Sequence, residues 1–365
     1  LLLAASLGWA AAASADDSPG EWLARMERAL SERNYQGTFV HEHDGQSETL
    51  RVVHRGSGGE PAERIVSLDG SGREFVRHEG ELRTYFPERR VVRVESGPGD
   101  GLLLAELRRL DTAGGQSYRL AELPSARVSG RVTHLIAVEP RDELRYGYRI
   151  WIDEASGMPL KTQLRAIDGR VVEQLVFTDL TFPERIADAA LQPAMDARDW
   201  RWLREATAGS TPVAPGDAAW QAGQLPPGFR MTANAMQSLP GSGAIVTHMV
   251  FSDGVASVSV FIEPQRGAPA EAAETLTRVG SSSALSTVVG GHKVTAIGEV
   301  PLDTVRAIAG SLRAVDGGTA AARTPLRMHS LGGSAADDTL AQPVPAGPPR
   351  GMAFGGGPAP GVRRP

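Results

Sequence analysis

The 365-residue chain contains no cysteine, which excludes disulfide staples, thiolate nucleophiles and cysteine metal sites. It has no strong charge of either sign. Its 38 Lys and Arg against 43 Asp and Glu give a formal net charge of -5 with both signs interleaved, so the electrostatic footprint of a nucleic-acid binder is missing. No later segment is apolar over the ~20 residues that a spanning helix needs. Short catalytic signatures are missing too. There is no Gly-x-Ser-x-Gly elbow, and Gly56-Ser57-Gly58, Gly70-Ser71-Gly72 and Gly241-Ser242-Gly243 are turn compositions. No glycine-rich stretch leads into the lysine and helix of a phosphate loop or into a dinucleotide-binding helix. The sequence thus offers no catalytic residue, no metal site and no cofactor site. Function must rest on what the chain encloses and what it touches.

What is there is a globular composition, 41% hydrophobic and 22% charged, with length for two domains of roughly 100–200 residues each. Residues 1–15 are Leu- and Ala-rich, uncharged, and end Ala13-Ser14-Ala15 before Asp16-Asp17. This is the form of a secretory signal whose record starts inside it, with cleavage expected after Ala15. A membrane anchor is the alternative, and the shortness of the run argues against it. The mature chain is expected to be soluble in an extracytoplasmic space.

Ser18-Pro19-Gly20-Glu21 reads as a capping box with proline at the first helical position. Trp22, Met26, Ala29 and Leu30 then recur at helical spacing. From Asn34 to Gly70 three strand-length legs are broken by Asp44-Gly45 and a Gly-rich cluster, the pattern of consecutive hairpins. Further strands are expected at 73–78, 81–85, 91–95, 117–123, 128–138, 144–152, 160–167 and 171–180, with a helical segment around Leu102, Leu103, Leu104, Leu107 and Leu110. So many strands do not stay flat. Residues 16–190 are therefore expected to form a curved antiparallel half-barrel with covering helices, and imperfect cover would leave an apolar cavity.

Residues 191–217, with Trp200, Trp202 and a Thr-Pro-Val-Ala-Pro-Gly run, read as a linker. Residues 218–316 read as a smaller α+β domain. It comprises a hairpin of 245–251 against 255–262, a helix over 271–279, a hairpin around Gly290-Gly291 and a last helix opened by Pro301, with Leu302, Val305, Ile308 and Leu312 as its apolar stripe. Residues 317–365 are Gly-, Pro-, Ala- and Ser-rich and are expected to be disordered.

His41 and His43 alternate on one strand face and could pair on a metal, yet no third ligand is evident beside them, and strand-end polar residues are the preferred reading. Arg51, Arg55, Arg64, Arg73, Arg77 and Arg83 recur through the meander, while Phe39, Val53, Ile65, Phe75, Tyr85, Ile150, Leu164 and Val176 supply apolar faces. Two accounts stand open: a solvated face over an ordinary core, or a lipid cavity rimmed by guanidinium groups suited to phosphate or carboxylate. In the second domain Phe229, Met249, Phe251, Val258, Val260 and Phe261 are candidate partner-binding residues. Alternation sends Val258 and Val260 to one face and Phe261 to the other. Phe261 and Phe251 then need cover, either from the domain's own helices or from a partner segment.

Several of these stretches together resemble the MucB/RseB family. They are 34–40, 50–55, 63–70, Tyr85-Phe86-Pro87, 146–153 with 157–161, 225–229 and 248–262. The resemblance runs in order from about Trp22 to Leu312. It implies a periplasmic regulator of an envelope-stress sigma factor, with a large N-terminal domain folded like the lipoprotein carriers and a smaller C-terminal domain that binds the periplasmic part of a transmembrane anti-sigma factor. It further implies that this binding shields the anti-sigma factor from proteolysis and that lipopolysaccharide or lipid relieves the shield. No catalytic residue is carried over. A lipid or lipoprotein carrier using only the N-terminal cavity is the alternative function, an unrecognised hydrolase a distant third, and a homo-oligomer is left open.

Overall fold

In the computed structural model, which describes residues 18–96, 107, 110, 116–204, 211–214, 218–238, 244–264 and 274–315, helix α1 (Pro19–Glu32) starts at the capping box. The Ser18 amide donates to Glu21 Oε2 at 2.6 Å and the Glu21 amide to Ser18 Oγ at 3.4 Å. Trp22, Leu23, Met26, Ala29 and Leu30 form its buried face.

The meander follows as β1 (Tyr35–His43), β2 (Gln46–Arg55), β3 (Ala62–Ser67), β4 (Glu74–His78), β5 (Glu81–Phe86) and β6 (Val91–Ser96). Its two tightest turns take positive φ at both central residues, Asp44-Gly45 at 48° and 73° and Glu79-Gly80 at 52° and 74°. That geometry matches the twist of the flanking strands and is why Gly stands second in each pair. Then come β7 (Tyr118–Val128), β8 (Arg131–Pro140), β9 (Gly147–Asp153), β10 (Pro159–Arg165) and β11 (Val171–Thr181). Strand β11 returns to pair with β1, which splices the two meanders into one sheet.

After the short helix α2 (Asp188–Leu191), β12 (Arg201–Arg204) adds in parallel to β6. The result is a twelve-stranded sheet whose end strands, β12 and β7, do not meet. It is an open half-barrel wrapped around α1.

The second sheet has seven strands: β13 (Thr211–Pro212), β15 (Arg230–Ser238), β16 (Ile245–Ser252), β17 (Ser257–Pro264), β18 (Thr275–Val279), β19 (Ser282–Val289) and β20 (His292–Gly298). Helix α3 (Leu302–Ser311) packs on it, and β14 (Trp220–Ala222) pairs with β21 (Leu312–Ala314) beside it.

Four expectations need correction. Residues 275–279 are strand, not helix: Thr275, Thr277 and Val279 are β-branched and the segment pairs with β19, whereas the Ala-Glu run before it suggested helical period. Residues 271–273 of that expected helix lie outside the described residues. The strand expected over 117–123 runs on to Val128, because a register shift between Leu123 and Ala126 absorbs Pro124 on an edge strand, and the turn falls at Ser129-Gly130 within the strand expected over 128–138. The stretch 191–217 is not wholly linker, since β12 belongs to the first sheet and β13 to the second. Strand β15 carried little hydrophobic alternation and was not expected. The segment around Leu102 lies outside the described residues except for Leu107 and Leu110, which are buried in the first core. The leader and the 317–365 tail also lie outside them. Among the described residues no helix is long and apolar enough to cross a membrane.

Candidate functional site

The concave face of the half-barrel is apolar and occupied. Phe39, Ile65 and Ile150 are fully buried there with Leu50, Val52 and Phe177, and Phe75 packs against them half-buried, whereas Val176 pairs with Val40, one residue out of phase with the Phe39–Phe177 pair, and so turns to the other face of the sheet. Trp22, Leu23, Met26 and Leu30 of α1, with Leu107 and Leu110, close the same cluster. Trp22 stacks on His134 with ring centroids 3.9 Å apart, and the Arg25 guanidinium lies 4.8 Å over its indole. Arg25 also donates to the Glu154 carbonyl at 2.6 Å, tying the helix to the β9–β10 turn.

The other three lipid-cavity candidates sit elsewhere. Val53 clusters with Ala62, Ile186 and Leu191, Tyr85 with Val76 and Val92, and Leu164 with Tyr146 and Val172. Strand alternation explains it: Val53 neighbours Val52, which takes the concave face. Tyr85 instead lines a cavity of about 400 Å³ together with Arg55, His78, Arg83 and Asp188.

The meander arginines are largely committed to carboxylates. Arg55 pairs with Asp188, Arg64 with Glu74 at 2.9 Å, Arg73 with Glu48 at 3.2 Å and Arg83 with Glu81 at 2.7 Å. A rim of free guanidinium groups is therefore not what this face presents. Beside the Tyr85 cavity, Glu60, His78 and Glu79 bring ligand atoms within 4.8 Å of one another. The two carboxylates approach different ring nitrogens of His78, each at 3.9 Å, so one ion cannot use both pairings as they stand.

Met249, Phe251, Val258 and Val260 are wholly buried in the second core with Phe229. Their apolar character is explained by that core, and none of them offers a side chain to a partner. Phe261, half-buried on the opposite face, stacks on His248 at 4.5 Å with planes 5° apart. The tip of the hairpin containing them meets the first domain. Val255 at its tip enters the first core. Arg145, wholly buried, donates through Nη1 to Asp253, through Nε and Nη2 to Asp142 at 2.9 and 3.0 Å, and through Nη2 to the Pro227 carbonyl at 2.6 Å. Its guanidinium also lies 5.2 Å over the Phe229 ring. Tyr118 OH donates to Asp253 at 3.2 Å, and burial together with the Asp253 charge pushes that phenol well above its ordinary range. Thr304 Oγ1 donates to the Leu144 carbonyl at 2.5 Å.

A second seam joins the domains at the β1–β2 turn. The Gly280 amide donates to Asp44 Oδ2 at 2.6 Å. His41 Nε2 lies 2.7 Å from Glu173 Oε1, and the His43 ring stands 4.9 Å from His41. Glu173 is the neighbour of these histidines that the sequence concealed, because it is 132 residues away and only the β1–β11 pairing brings it near. Burial alone would raise the Glu173 carboxyl, but the His41 hydrogen bond and charge, with Ser281 and His43, outweigh it and hold it below the usual carboxylate range.

An open half-barrel filled by its own helix, clamped to a second sheet domain by a buried ion pair, defines a two-domain binding protein. Comparisons with known proteins give the family. Models described as the MucB/RseB N-terminal domain and the MucB/RseB C-terminal domain match residues 18–195 and 214–313. The sigma factor AlgU regulatory protein MucB of Pseudomonas aeruginosa is 34% identical over 326 residues, covering 86% of this chain and 96% of that protein. The sigma-E factor regulatory protein RseB of Escherichia coli is 27% identical over 329 residues, with 86% and 96% covered. The solved complex of Pseudomonas aeruginosa MucA and MucB superposes with a TM-score of 0.62 at 31% identity, covering 81% of this chain and 98% of that one. A crystal structure of MucB in complex with MucA(peri) gives 0.62 at 30%, with the same coverage. The chain belongs to the MucB/RseB family.

Proposed function

We propose that this protein is a periplasmic negative regulator of sigma-factor signalling, which binds the periplasmic part of a transmembrane anti-sigma factor, shields it from proteolysis and releases it on sensing envelope lipid or lipopolysaccharide. The observation that carries the reading is likeness along both domains to MucB, a regulatory protein solved in complex with MucA(peri). The reading needs no catalytic residue and no cofactor. It places the mature chain, cleaved after Ala15, in the periplasm, and it divides the work between residues 16–190 and 218–316.

Lipid would act on the concave face, where Phe39, Ile65, Phe75 and Ile150 meet α1. An acyl chain entering there has to displace α1 side chains that now fill the face, so lipid and the packed arrangement compete. If lipid lowers partner affinity by some factor, partner must lower lipid affinity by the same factor.

The test is binding of the purified mature chain to its cognate anti-sigma periplasmic domain, with and without lipopolysaccharide. Tight binding weakened by lipid supports both halves. Binding indifferent to lipid removes the sensor half, and no binding turns the reading to a periplasmic carrier.

A further inference from the structure

On the face of the meander turned away from α1 lies the cavity of about 400 Å³ that Tyr85 lines, within the size range of small-molecule sites. Its floor follows from strand register. Arg55 of β2, Ala62 of β3 and His78 of β4 stand in one cross-strand row, and Val76 of β4 pairs with Arg83 of β5 in the next. Alternation puts all five, with Tyr85, on the face opposite Val52, Ile65 and Phe75. Alanine at position 62 leaves room between Arg55 and His78 that a larger side chain would fill. The segment 188–193 roofs the space with Asp188 and Leu191.

This cavity buries a guanidinium and leaves carboxylates at its rim. Arg55 is 8% exposed and Tyr85 2%, whereas the side chains of Asp188 and Glu60 are 84% and 65% exposed. Arg55 donates through Nε to the Glu60 carbonyl at 2.8 Å and through Nη1 to Asp188, and its Nη2 donates no hydrogen bond among the described residues. Arg83 spends Nε and Nη2 on a single Glu81 oxygen, at 3.0 and 2.7 Å, and its guanidinium lies beside the Tyr85 phenol. Burial pushes that phenol above its ordinary range, so Tyr85 stays a neutral hydroxyl that can donate.

Asp188 shows what the buried guanidinium accepts. It is an exposed carboxylate on the four-residue helix α2, yet it reaches in to Arg55. The hydrogen bond from Arg55 and the guanidinium charge hold its carboxyl below the ordinary range. Asp188 thus takes, from within the chain, the place a ligand carboxylate would take. An external carboxylate can exchange with it, because Asp188 on release returns to water and loses only a solvent-screened pair.

We propose that this cavity binds a small dicarboxylate, one carboxylate displacing Asp188 from Arg55 and the other meeting Arg83 and the Tyr85 hydroxyl, with Val76 and Leu191 against the carbon chain between them. Forked guanidinium donors match carboxylate geometry. Two such forks, on strands three places apart in the sheet, select a ligand charged at each end. Neither α1 nor the contact between the domains takes part, so the site is separate from the concave face and independent of the regulatory reading.

The full mature chain is titrated calorimetrically with succinate at fixed ionic strength, beside the uncharged dimethyl ester of succinate and inorganic phosphate. Succinate should bind and the ester should not. Phosphate, which reaches only one of the two arginines, should bind about 10-fold more weakly than succinate. Asp188→Ala should bind succinate about 10-fold more tightly, since a competitor for Arg55 is gone, and Arg55→Gln and Arg83→Gln should each bind it about 10-fold more weakly. Asp188 is exposed, so Asp188→Ala keeps the fold even where Arg55→Gln does not, and a gain of affinity is a result that a merely structural ion pair would not give. Binding by Asp188→Ala alone also supports the site, with Asp188 as its occupant in the unliganded chain. Three results each overturn the assignment: no succinate binding by either chain, binding that the Asp188 and Arg83 variants leave unchanged, or phosphate or ester binding as tight as that of succinate.

Discussion

Arg145 and Asp253, 108 residues apart in sequence and both wholly buried, form an ion pair that joins the loop after β8 in the first domain to the tip of the β16–β17 hairpin in the second. Asp253 also accepts from the amides of Val255 and Ala256 at 3.0 and 2.8 Å, so one carboxylate shapes its own turn and clamps the neighbouring domain. Asp142 and the Pro227 carbonyl complete the cage around the guanidinium.

Removing one member of a buried pair leaves the other uncompensated. Asp253→Ala is expected to cost about 3–5 kcal/mol, and Arg145→Met a similar amount. The double variant Arg145→Met/Asp253→Ala should cost clearly less than their sum. Denaturant unfolding of the three variants checks this, and strict additivity would deny the pair its coupling.

Glu173 makes part of the stability dependent on pH. Its carboxyl is held below the ordinary carboxylate range in the folded chain, so its contribution is present above the unfolded value, near pH 4, and is lost as pH falls through the folded value. Glu173→Gln should therefore be less stable than the unaltered chain at neutral pH, and the gap should narrow on acidification. Urea unfolding at pH 7 and at about pH 3 measures both differences.

Met26 is a plug residue of α1, fully buried on the concave face. Met26→Ala should lower stability by about 2–5 kcal/mol. If acyl chains enter on this face, the same variant should bind a fluorescent fatty acid more tightly than the unaltered chain, because part of the space is already cleared. Equal or weaker probe binding by a folded Met26→Ala protein would place lipid elsewhere.

Phe251 and Phe261 share a hairpin but differ in role. Phe251 is fully buried in the second core, and Phe261 stacks on His248 at its margin. Phe251→Ala should cost about 3–5 kcal/mol, and Phe261→Ala less than about 2 kcal/mol. Chemical denaturation of the two variants separates them.

Local features were legible because they are written over a few residues. The α1 capping box, the Asp44-Gly45, Glu79-Gly80 and Gly290-Gly291 turns, and the buried stripe of Val305, Ile308 and Leu312 all follow from short-range stereochemistry. Where long-range pairing overrode local preference, the reading failed: β18 read as helix, and the strand from 117 was ended at 123 although β7 runs on to Val128. Site residues fared unevenly for the same reason. Phe39, Ile65 and Ile150 alternate onto the concave face as a half-barrel requires. Val53, Tyr85 and Leu164 are as apolar in composition, yet they fall on faces that periodicity alone does not label.

By itself the sequence determined that the chain is a cysteine-free, two-part β protein without a recognisable catalytic motif, and that its motifs in order are those of the MucB/RseB family. Composition and periods of 2 and 3.6 residues suffice for that, since they act within one element at a time. Tertiary structure alone decided that α1 fills the half-barrel, that Glu173 meets His41, and that Arg145 binds Asp253. Those relationships join residues more than 100 positions apart. They arise from strand order and domain docking, which burial of the whole apolar surface selects and no local window contains.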